Sequence, residues 1–158
     1  MSRSQTGLDA ALATLRAIDP RLEGGVRAFD AALADVMALD DPRAFAPLAA
    51  LFIEEEGDHE DAMWSLLHAV EHLGMDGGPD RYGGRLLAIL PSLCRTAPRW
   101  AELLLVRVLN SPSHTAALRD RMDADATPGE RDVVATLAQR IVRASPEFRE
   151  KADRLGLA

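Results

Sequence analysis

The sequence predicts an all-α protein, and three observations carry that expectation. Apolar residues recur at helical spacing along almost the whole chain, with no alternating strand pattern. Ala and Leu dominate a composition that is 47% hydrophobic but only 4% aromatic, and β-branched residues are sparse. Proline repeatedly falls where a helix would begin, just after a polar residue able to cap it. The length of 158 residues is enough for one well-packed core, so a single domain over 1–158 is expected, with 1–7 polar and disordered. About nine short helices joined by short connections fit a HEAT-like α-solenoid or a compact helical bundle, although no internal repeat recurs at a fixed period.

Taken in order, Leu8, Ala11, Leu12, Leu15 and Ile18 mark a first amphipathic helix that Asp19-Pro20 stops. The second runs from Val26 to Leu39 after Gly24-Gly25, with Phe29, Leu33 and Val36 inward. Asp40-Asp41-Pro42 signals a third start, and that helix is expected to reach Ile53 with Pro47 in an early turn. Asp58 is the expected cap of a fourth helix carrying Met63, Leu66, Leu67, Val70 and Leu73 as its core stripe. Gly74 to Pro79 is a loop. Tyr82 follows, and then a fifth helix runs to about Arg95, in which Pro91 should introduce a kink or a split. Thr96 caps a sixth, Arg99 to Asn110, which is apolar nearly all round and so belongs at a buried centre. Asn110-Ser111-Pro112 opens a weaker seventh with Ala116, Leu118 and Met122 inward. Thr127-Pro128-Gly129-Glu130 is a capping box for the eighth, and Ser145-Pro146 begins a short last helix.

Charge narrows the function classes. The net charge is -7, against the basic footprint of a nucleic-acid binder, so no direct nucleic-acid binding is expected. The acids are concentrated early: residues 1–80 hold 5 Arg and 16 Asp or Glu, a balance of -11, while residues 81–158 hold 13 Lys or Arg and 9 acids, a balance of +4. Such an asymmetry steers a basic partner onto the N-terminal half. Cys94 is the single cysteine, which leaves no intramolecular disulfide and no Cys-based metal site. The N-terminus lacks the apolar run of a signal peptide and no stretch approaches a membrane span, so a cytoplasmic location is expected.

Chemistry-bearing motifs gather around the fourth helix. His68-Ala69-Val70-Glu71-His72 matches the H-x-x-E-H pattern, in which two histidines one turn apart hold zinc and the glutamate activates a water. A third ligand is not apparent, and the more economical reading is a polar helix flank, with His72 favoured near the C-terminal end by the dipole. Asp58, Glu60 and Asp61 lack the glycine and closing glutamate of a calcium loop. No Ser/His/Asp arrangement, nucleophile elbow or phosphate-binding loop is present, so neither catalysis nor a cofactor or metal is expected. What stands out is the run Glu54, Glu55, Glu56, Asp58, Glu60 and Asp61 leading to Trp64, with His68 one turn further. Carboxylates around an aromatic anchor suit a basic protein partner; acids solvating a helix start, with Trp64 packed inward, would look the same in sequence.

The segments Met63-Trp64-Ser65-Leu66-Leu67-His68-Ala69-Val70-Glu71-His72, Tyr82, Leu90-Pro91, Ala97-Pro98-Arg99-Trp100-Ala101-Glu102-Leu103-Leu104 and Arg107-Val108-Leu109-Asn110-Ser111 resemble small immunity proteins of bacterial polymorphic-toxin and contact-dependent growth inhibition systems. The resemblance covers about residues 40–125. It implies a protein that binds the toxic C-terminal domain of a cognate toxin and blocks its active site or substrate access. Many such toxins are nucleases with basic clefts, which an acidic protein can fill. The resemblance also implies that His68 and Glu71 bond neighbouring helices and hold no metal. The expected partner-binding residues are therefore Glu54, Glu55, Glu56, Asp58, Glu60, Asp61, Trp64, His68 and Tyr82. The alternative is a HEAT-like scaffold that binds another cellular protein through the same surface.

Overall fold

The computed structural model describes residues 3–157, and among them every regular element is helical. The chain divides into two compact units, Met1–Leu73 and Gly74–Ala158.

In the first unit, α1 (Arg3–Arg16) takes in residues 3–7, which the sequence reading left outside any helix; residues 1 and 2 lie outside the described residues. Its Leu8, Leu12 and Leu15 are buried. Arg21 holds the turn that follows, its backbone N–H and guanidinium both donating to the Asp19 carboxylate. The turn is tight enough to demand its glycines. Gly24 adopts a left-handed φ of 71°, and a Cβ on Gly25 would stand 2.3 Å from the Asp19 carbonyl oxygen. Phe29, Ala32, Leu33 and Val36 form the buried face of α2 (Gly25–Met37).

The third helix is shorter than expected. Asp41 accepts from the Arg43 N–H and caps a 3₁₀ turn over Pro42–Ala44, as the Asp-Pro signal implied. An α-helix continuing from Pro42 would need an N–H at position 47, which proline lacks. Helix α3 (Phe45–Ala49) therefore starts afresh with Pro47 in its first turn, where the missing N–H costs nothing. The chain then leaves helical geometry, Phe52 is buried, and the Ile53 N–H points at the Met63 sulfur, 3.3 Å away. Met63, Leu66, Leu67, Val70 and Leu73 of α4 (Glu60–Met75) are all buried, as their spacing required.

In the second unit, α5 (Pro79–Thr96), α6 (Pro98–Leu109), α7 (Pro112–Asp125) and α8 (Pro128–Ala144) each begin on proline, where its missing donor is harmless and its φ is pre-set. A 3₁₀ turn, Pro146–Phe148, leads into α9 (Arg149–Asp153). Helix α5 packs against α6, α7 and α8. Gly83 permits its approach to α7, since a Cβ there would lie 3.2 Å from the Leu118 Cα. Pro91 does not split α5, which continues to Thr96. Packing on three sides holds the helix across the lost hydrogen bond.

Two smaller expectations are corrected in this unit. Thr96 does not cap α6: its hydroxyl donates back to the Ser92 carbonyl, and Ala97 holds the cap position. Ala117, with Leu118 and Met122, faces inward on α7, whereas Ala116 is exposed. Cys94 is only half-buried. The Thr127–Glu130 capping box forms in full, and the cap of α7 is the Ser111 side chain, accepting from the His114 N–H. Buried Thr115 fastens the α6–α7 corner by donating to the Val108 and Ser111 carbonyls, at 2.9 and 3.0 Å.

Candidate functional site: the acidic start of helix α4

Helix α4 begins after a turn at Gly57, whose carbonyl accepts from the Glu60 N–H at 3.0 Å. The first helical carbonyl belongs to His59, which accepts from the Met63 N–H. His59, not Asp58, thus occupies the cap position, and its ring turns inward to 3% exposure. Asp58 is displaced by the Gly57 turn and stays exposed in solvent.

Among the acids, Glu55, Glu56, Asp58 and Asp61 are exposed, while Glu54 and Glu60 are half-buried. Glu60 and Asp61 lie in the first turn, where the positive end of the helix dipole favours carboxylates. The first unit as a whole is negative, because residues 1–73 hold 5 Arg against 14 Asp or Glu. Two of those arginines are engaged locally. Arg21, hydrogen-bonded to Asp19, holds that carboxyl down at about 2, and Arg43 does the same to Asp41.

Trp64 stands one turn into α4 and is 40% exposed, so the inward-packed alternative for it is ruled out. Its ring lies 6.5 Å from that of His68, tilted by 43°, and His68 is exposed as well. Eight of the expected residues thus lie on one stretch of chain, 54–68, that runs into α4, six of them exposed and Glu54 and Glu60 half-buried.

Tyr82 is the correction. It is 2% exposed, on the inner side of α5, with its ring edge-on to His114 at 5.6 Å. An aromatic in the first turn of a strongly amphipathic helix packs with the core stripe of that helix, here next to Leu86, and presents no surface to a partner.

The H-x-x-E-H residues also part company. His68 and His72 are exposed, whereas Glu71 is buried at 7%. His72 Nε2 stands 4.0 Å from Asp40, a residue held at a φ of 46° just beyond α2. Among the described residues, no three His, Cys, Asp or Glu side chains are grouped as metal ligands. No helix there is long and apolar enough to cross a membrane.

Sequence reasoning passed over Asp30. It lies next to Phe29 on α2, and its Oδ1 is buried without a hydrogen-bond partner. A charged residue adjoining an apolar stripe was the only signal available in the sequence.

These features define a helical protein in which α4 buries one face and leaves a flank carrying Asp61, Trp64 and His68 exposed. The family model for Immunity protein 30 matches residues 17–118, almost two thirds of the chain, and includes all of that helix. The chain belongs to this family, and so to the immunity proteins of toxin systems. No curated protein and no solved structure gives a significant match.

Proposed function

We propose that the protein neutralises a cognate bacterial toxin by binding its toxic C-terminal domain through the acidic start of α4. The observation that carries this reading is the exposure of Trp64 beside exposed Glu55, Asp58 and Asp61. The carboxylates attract a basic surface and raise the association rate. Trp64, with His68 against it, provides the apolar contact that survives once water is expelled. Glu54, Glu56 and Glu60 complete the negative field. Such a surface fits the basic substrate cleft of a nuclease toxin, which it would occupy in place of the nucleic acid. Inhibition then requires no chemistry from the immunity protein and no cofactor, and it takes place in the cytoplasm, where the toxin's substrate is found.

The test is co-expression with the toxic domain whose gene neighbours this one. The expected result is growth rescue together with a stable complex on purification. Growth arrest despite a folded, helical protein would overturn the reading.

A further inference from the structure

Helices α2 and α4 leave a groove of about 470 Å³ between them in the first unit. Its two walls are helical stripes at the same spacing: Asp30, Leu33, Ala34 and Met37 on α2, and Ser65, His68, Ala69 and His72 on α4. Buried Leu33 and Ala69 give it an apolar floor. At one end Asp30 offers a carboxylate oxygen that is shielded from water and accepts no hydrogen bond. A shielded acceptor with no donor is costly in a folded protein and is relieved by any donor that reaches it. Asp30 also lines the adjoining hollow, to which Asp58 of the acidic run contributes. The groove is therefore continuous with the proposed interface, and His68, against Trp64, forms part of its rim.

Resting on the immunity reading, we propose that this groove takes one arginine side chain of the toxin. The aliphatic stem lies over Leu33, Ala34 and Ala69, and the guanidinium donates to Asp30. Arginine suits the site because its stem covers apolar surface while its planar fork engages a carboxylate. Charge points the same way, though by a narrow margin: the adjoining hollow sets Glu23, Asp30 and Asp58 against Arg21 and Arg27, and Arg21 is already paired with Asp19.

Two measurements test this. The first needs no toxin. N-acetyl-arginine-N-methylamide is titrated into isotope-labelled protein and amide shifts are followed. Saturable shifts are expected around Asp30, Ala34, His68 and Ala69, and they should vanish in Asp30→Asn. Shifts that persist in that variant, or that appear only along Glu54–Asp61, overturn the proposal. The second uses the toxin domain. Loss of a charge-assisted hydrogen bond in Asp30→Asn should weaken binding roughly ten- to a hundredfold, mainly by faster dissociation. Ala34→Arg places a guanidinium one turn after Asp30 on the same face, fills the groove from within, and should weaken binding without loss of stability. If both variants bind normally while charge reversal at Glu55 and Asp58 weakens the complex, the groove falls and the acidic interface stands. If the wild-type protein does not bind the toxin domain, the immunity reading falls, and with it this role for the groove.

Discussion

Replacing Trp64 with alanine separates what α4 does for folding from what it does for binding. The side chain is 40% exposed. A tryptophan presents roughly 250 Å² in full, so about 100 Å² remains for a partner to cover. At roughly 25 cal/mol per Å², covering that area is worth about 2.5 kcal/mol, or between one and two orders of magnitude in Kd. The covered part of the ring contributes to folding, so Trp64→Ala should also lose about 2–3 kcal/mol of stability. A matched control is therefore needed. Leu67, in the core stripe of the same helix, is fully buried and loses about 2–5 kcal/mol on truncation to alanine. Urea denaturation gives the stabilities, and calorimetric titration with the toxin domain, on samples confirmed as folded, gives the affinities. The expected outcome is similar destabilisation in both variants, with a large affinity loss only in Trp64→Ala. Equal affinities for the two variants would refute the placement of Trp64 in the interface.

Other consequences can be checked on the isolated protein. Thr127→Ala removes one arm of the capping box of α8 and should cost about 1 kcal/mol, read as a lowered Tm. Asp19 and Asp41 have folded-state pKa values of about 2, below the ordinary 3.8, so the folded state releases their protons first. Their contribution to stability is present above pH 3.8 and is lost as pH falls towards 2. The Tm difference between wild type and Asp19→Asn should shrink across that window, and a constant difference would contradict the assignment. Tyr82→Ala should lower Tm through loss of a buried ring, yet leave toxin affinity unchanged in the folded fraction. Elemental analysis of protein purified without chelator should find no stoichiometric zinc, since among the described residues no third His, Cys, Asp or Glu is grouped with His68 and His72.

The features legible in the sequence were those governed by local periodicity and capping. The core stripe of α4, the capping box of α8 and the proline-initiated helices of the second unit follow from residue spacing alone. The acidic run was legible for the same reason, because a block of like charge has nowhere to go but the surface. Long-range packing governs what was not legible. Pro91 looked like a break until the neighbours of α5 held it in one helix. Tyr82 looked like a loop aromatic, but α5 starts at Pro79 and carries it inward. Asp58 preceded an apolar run and read as a cap, yet the Gly57 turn moved that position to His59. Asp30 and the groove on α2 and α4 depend on which helices lie side by side, which no single helix encodes.

The most direct test of the acidic interface is the association rate of the purified protein with its toxin domain, measured by stopped flow at low and at physiological salt. For the wild type, the rate should fall as salt rises, because the Debye length shrinks to about 8 Å at physiological ionic strength. Glu55→Lys with Asp58→Lys should slow association most at low salt and flatten the salt dependence. An association rate that ignores both salt and these substitutions would contradict the account.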